Sequence, residues 1–174
     1  MTDAAEIRRL GLEETRRLYA RVAEAGDPAL IRWMCLNDRF FLLTCALGLT
    51  HMNNAWCYAR CREVEESPDG WLDLWSRGHY KSTIITLGGI VQEVLRDPEI
   101  TCCVLSYNSP TAQKFVGQIK QALENAALRE LFHVVFWLAQ HYARRVGDRP
   151  CGASRSPGKK HPHRFPGWYV QGDG

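Results

Sequence analysis

The chain has 174 residues and a mass of 19.9 kDa, the size of one ordinary domain with appendages, and its 45% hydrophobic content excludes wholesale disorder. The net charge of +3 is unevenly placed: five of the 22 basic and two of the 19 acidic residues lie from Gly147 onward, leaving 17 of each upstream. Bulk charge on so neutral a body is excluded as a route to nucleic acid.

Met1 to Glu6 lacks the basic-then-apolar layout of a secretory leader. The longest nearly apolar run, Phe40 to Leu49, is about half the ~20 residues of a membrane-spanning helix. A cytoplasmic location with no membrane partner is the expectation. Ile7, Leu10, Leu18 and Val22 recur at helical spacing among balanced charges, so one solvated helix is expected there. Gly26-Asp27-Pro28 ends it and supplies an N-cap and first-turn proline for the next. Asn37-Asp38 begins another helix through Phe40, Phe41 and Leu43, and a further one, around Trp56 to Glu65, stops at the turn Ser67-Pro68-Asp69-Gly70.

After that turn the pattern changes. Trp71 to Trp75 is short, apolar and aromatic, as a strand is, and Ser76 to Tyr80 forms a polar loop. Ile84, Leu87, Val91, Val94 and Leu95 then follow a helical period that ends near Asp97-Pro98. Thr101 to Ser106 reads as a second strand, apolar on both faces like a buried parallel strand. Tyr107 to Pro110 turns into a helix carrying Ala112, Phe115, Val116, Ile119 and Leu123, and a last helical piece spans Ala127 to Tyr142. The expected fold class is therefore α/β: N-terminal helices over residues 1–68, then a partial P-loop-type parallel β-α-β-α unit over 69–146. Residues 147–174 hold six of the 14 glycines and four of the eight prolines, so a disordered tail is expected.

Seven cysteines, odd in number and mostly set in apolar stretches, suit reduced, packed thiols. Cys57 and Cys61 are four apart, but two ligands do not make a zinc site. His161 and His163 in the tail read as incidental.

The segment Trp75-Ser76-Arg77-Gly78-His79-Tyr80-Lys81-Ser82-Thr83 carries the most chemistry. A phosphate-binding loop joins a strand to a helix: amides and the helix start hold phosphate oxygens, a lysine reaches the β and γ phosphates, and the next hydroxyl ligates Mg²⁺. Lys81-Ser82 stands where that pair belongs, with Trp75 and Tyr80 in place of the usual first and sixth glycines. The competing reading is a solvated turn that merely starts a helix. A lysine beside the positive end of a helix is better explained by a bound phosphate, as is Arg77 nearby.

Phe40 to Leu43, Arg60 to Val64, Asp69 to Trp75, the loop Arg77 to Thr83 and Asp97 to Thr101 together resemble the N-terminal ATPase region of a phage terminase large subunit. The resemblance covers roughly Ala29 to Trp137. It implies ATP and Mg²⁺ as cofactors, with Arg77, Gly78, His79, Tyr80, Lys81, Ser82 and Thr83 around the nucleotide. In it Lys81 binds the β and γ phosphates, Ser82 ligates the metal, and Arg77 contacts phosphate or senses its loss. Ser106 to Gln113 matches the loop that links nucleotide state to DNA in such motors, and reads equally as an ordinary turn capped by Ser109. The implied partners are double-stranded DNA, a portal and a small terminase subunit, and the implied activity is ATP-driven DNA packaging with a nuclease.

Hydrolysis also requires acids at the tip of a later apolar strand, and the nuclease requires clustered carboxylates. No such pattern follows Trp137, where Asp148 and Asp173 stand alone. Two alternatives accompany the packaging-ATPase reading: a non-enzymatic truncated remnant or interaction module with a vestigial phosphate loop, and a piece of a helicase-like motor.

Overall fold

The protein is seen in a computed structural model that describes residues 3–66 and 74–133 and the backbone of 169–171. The N-terminal apolar stripe folds as two helices rather than one, α1 (Ala4–Arg9) and α2 (Leu12–Ala25). Leu10 and Gly11 are extended between them, and the Gly11 amide donates to Glu14 Oε2 at 2.9 Å, so the second helix has its own start. Gly26 closes α2 at φ 60°, a left-handed turn that favours glycine. Asp27 then caps α3 (Pro28–Asn37) by accepting from the Ala29 amide at 2.9 Å.

Asp38 starts α4 (Arg39–Phe41) in the same way, accepting from the Phe41 amide at 2.9 Å. The helix widens at once into a π-helical stretch, Leu42–Ala46, where the Leu47 amide reaches back five residues to the Leu42 carbonyl at 2.9 Å. Helix α5 covers Ala55–Glu66. A second π-helical stretch, Ser82–Gly88, runs straight into α6 (Gly89–Arg96). Strand β1 (Cys103–Leu105) precedes α7 (Ser109–Leu123), which Asn108 caps by accepting from the Thr111 amide at 2.9 Å, and α8 (Ala126–Leu131) follows. The backbone of Tyr169–Gln171 forms β2, which pairs with β1 in parallel.

The core gathers around α4 and its π-helical extension. Phe40, Leu42, Leu43, Met34, Met52, Ile84 and Val91 are each at most 1% exposed. Tyr19 meets Phe41 edge-on with ring centroids 4.9 Å apart, and Phe40 meets Tyr58 likewise at 5.2 Å. Each such side chain contributes about 1.5–3 kcal/mol by leaving water.

A polar network threads this core. Asp38 accepts from the Tyr19 hydroxyl at 2.6 Å and from Arg62 Nη2 at 2.9 Å. Arg62 Nη1 donates to Glu65 at 2.7 Å, and the same carboxylate accepts from the Arg39 amide. Arg39 Nε continues the chain to Gln92 Oε1 at 3.1 Å, and Gln92 Nε2 donates to the Cys35 carbonyl at 3.0 Å. Burial alone disfavours the charge on Arg62, but Asp38 and Glu65 more than offset it and raise the guanidinium. Burial, reinforced by Asp38, pushes the Tyr19 phenol up, and burial pushes the Glu65 carboxyl up against the pull of Arg62.

The α/β expectation is overturned. The described residues are predominantly helical, and their strand content is a single parallel pairing of two three-residue strands. The strand expected at Trp71 to Trp75 does not form where it is described: Leu74 to Ser76 are irregular, and residues 71–73 lie outside the described residues. The strand expected at Thr101 to Ser106 shrinks to Cys103–Leu105, and only Val104 is buried, so it is not the doubly covered strand of a parallel sheet. A P-loop-type β-α-β-α core needs a parallel sheet of several strands, and the described residues pack mostly helix against helix. Among the described residues the expected translocating ATPase core is therefore not formed, and the P-loop, ATP-binding and terminase descriptions fall with it. The turn at Ser67 to Gly70, the helical piece beyond His133 and most of the Gly/Pro tail lie outside the described residues.

The thiols divide by burial. Cys35, Cys57 and Cys61 are buried and free, Cys45 and Cys103 are exposed. Burial pushes the Cys35 thiol to about 12 and raises those of Cys57 and Cys61 as well. A thiol reagent at pH 8 is expected to label Cys103 first and Cys45, whose thiol partial burial also raises, more slowly in the native protein, and to reach the three buried thiols only in denaturant, as read by peptide mass mapping. Prompt native labelling of Cys61 would contradict this packing. Among the described residues no group of three His, Cys, Asp or Glu side chains could hold a metal ion.

Candidate functional site

All seven residues singled out from the sequence fall on one loop and the helix it opens. The chain from Trp75 to Thr83 wraps a cavity of about 500 Å³. Two residues let it curl this tightly: Gly78 at φ 81° and Tyr80 at φ 56°. The latter is a backbone state costly for a side chain, which glycine adopts freely. Arg77 and Lys81 are exposed, His79 is half-buried, and Ser82 and Thr83 open the π-helical stretch.

The loop's polar groups close on the loop itself. His79 Nδ1 lies 2.7 Å from Ser76 Oγ and 3.1 Å from the Arg77 carbonyl. The Lys81 ammonium turns back toward the Trp75 carbonyl at 3.5 Å, a long and weak contact. Ser82 and Thr83 also border a second cavity of about 440 Å³, shared with Gln118, Gln121 and Asn125 of the α7 end of the fold.

What holds the loop against the helical body was not anticipated. Arg60 on α5 sits over the Trp56 ring at 5.0 Å and the Trp75 ring at 5.9 Å. Trp56 also meets the His79 ring edge-on at 5.1 Å, and His51 packs against Tyr80 at 5.3 Å. Cation–π contacts of this kind contribute about 0.5–1 kcal/mol at exposed sites. Trp56 and Arg60 are one helical turn apart, so their shared face is legible in the sequence; their target, fifteen or more residues on, is not.

The loop departs from the phosphate-loop pattern at its sixth position. Where that pattern has glycine, Tyr80 takes the left-handed backbone and packs its ring against His51. A larger, mostly apolar cavity of about 630 Å³ lies elsewhere, between α2, α3 and α8, with Tyr19, Ile31 and Leu131 among its walls.

No known relative emerges. Comparison with protein-family models, with curated proteins and with solved structures returned no match.

Among the described residues no helix is long and apolar enough to cross a membrane.

Proposed function

We propose that this chain is a non-enzymatic interaction module: a helical body that carries a vestigial phosphate loop. The observation that supports it best is the self-closure of Trp75 to Thr83. His79 contacts a carbonyl and a hydroxyl of its own loop, and the Trp56–Arg60–Trp75 stack fixes that loop on α5. A catalytic phosphate loop keeps its polar groups free to follow charge as it develops in the transition state. This one uses its groups to hold a shape. The π-helical stretch that follows has the same effect, because it seats Ile84 and Gly88 in the core and ties the loop to the body.

Steady-state phosphate release from ATP and Mg²⁺, with and without double-stranded DNA, tests the reading. Release indistinguishable from the blank, and the same for wild type and Lys81→Ala, is expected. DNA-stimulated release that disappears in Lys81→Ala would overturn it.

A further inference from the structure

We propose that β1 is a strand-accepting edge for an extended, apolar segment of a partner protein, and that residues 169–171 occupy it in the free chain. This rests on the interaction-module reading and names the kind of partner that module takes. Along β1 the side chains alternate, as strand geometry requires. Val104 is buried at 5% exposure, whereas Leu105 is 71% exposed and Cys103 is exposed with it. Cys103 and Leu105 thus form an uncharged face away from the core, and Tyr107, in the bend that follows, is 79% exposed beside it in sequence. A parallel strand is ordinarily covered on both faces, and among the described residues this one is covered on one.

The chain's own backbone shows which segment fits. Tyr169–Gln171 pairs with Cys103–Leu105 in parallel, in the register Cys103 to Tyr169, Val104 to Val170 and Leu105 to Gln171. The edge therefore accepts an extended segment running parallel to β1. The ladder is three residues long, so a partner strand that pairs along more of the edge and also covers Leu105 and Tyr107 gains what the internal strand does not. Strand addition of this kind draws affinity from main-chain hydrogen bonds and selectivity from alternate side chains.

The test uses the full chain and, as probe, a peptide of residues 167–174, followed through the backbone amide signals of Cys103, Val104 and Leu105. Val170→Pro in the chain removes the internal competitor, since proline lacks the amide and is excluded from paired strands. The peptide should then shift those signals at about tenfold lower concentration than in wild type, because the internal strand no longer depletes the open form. Adding Leu105→Pro should abolish the gain. Leu105→Lys, at a solvent-facing position the fold tolerates, should weaken it without touching the core. Equal titrations for wild type and Val170→Pro would overturn the proposal, as would a gain that survives Leu105→Pro. Concentration-dependent dimerisation of Val170→Pro without peptide would also overturn it, by making a second copy the occupant. None of these readouts depends on ATP, so turnover would defeat the non-enzymatic reading while leaving the edge to be judged on its own titration.

Discussion

Asp38→Ala is expected to lower the free energy of unfolding by about 3–5 kcal/mol, the usual cost of removing one partner from a buried ion pair. Three donors converge on that carboxylate: the Tyr19 hydroxyl, the Phe41 amide and Arg62. The side chains of Asp38 and Arg62 are 1% and 8% exposed, so water cannot replace what is lost. Alanine removes the cap of α4 and leaves the Arg62 charge with Glu65 alone. Against a total stability of about 5–15 kcal/mol, such a loss unfolds a weak domain outright. Asp38→Asn separates the two contributions, because its side-chain oxygen still caps the helix while the charge is gone. Urea titrations of the three proteins measure this. A loss below about 1 kcal/mol for Asp38→Ala would place the pair with solvent-exposed salt bridges and refute the network's role.

Phe40→Ala is expected to cost about 3–5 kcal/mol by a different mechanism. The ring is 1% exposed and lies between Tyr19 and Tyr58, at centroid distances of 6.2 and 5.2 Å. Those neighbours are tied down in turn: Tyr19 donates to Asp38, and Tyr58 bonds Thr15 and donates to the Leu10 carbonyl. Rings held by their hydroxyls relax poorly into a cavity, so the upper part of the range is expected. Thermal or urea unfolding reads the loss. A value near that of a half-buried phenylalanine would mean that α2 and α5 close over the vacancy. The Asp38 and Phe40 effects should not add, since both variants loosen the same Tyr19.

Much of the local structure was legible in the residues themselves. Asp27 and Pro28 start α3, Asn37-Asp38 marks the start of α4, the polar turn before Pro110 opens α7, and the seven loop residues do lie together where a turn meets a helix. Each is decided by hydrogen bonds that span four residues or fewer, so the sequence states them directly. The same rules missed the break at Leu10-Gly11, because a continuous apolar period hides a capping carboxylate three residues on.

The sequence by itself determined where α3, α4 and α7 begin, that the tail from Gly147 is rich in glycine and proline, and that one loop concentrates Arg77, His79 and Lys81. Tertiary structure alone decided what those elements became. A short apolar run is a strand only if another strand stands beside it, and among the described residues none stands beside Leu74 or Trp75. The burial of Val104 and the exposure of Leu105 depend on α7 covering one side of β1 and no described element covering the other. Arg62 reaches Asp38 across 24 positions, and Arg60 reaches Trp75 across 15, because folded helices bring these residues together. Partners so distant leave no periodicity in the chain, which is why a loop that reads as a phosphate site ends up clamped by an arginine between two tryptophans.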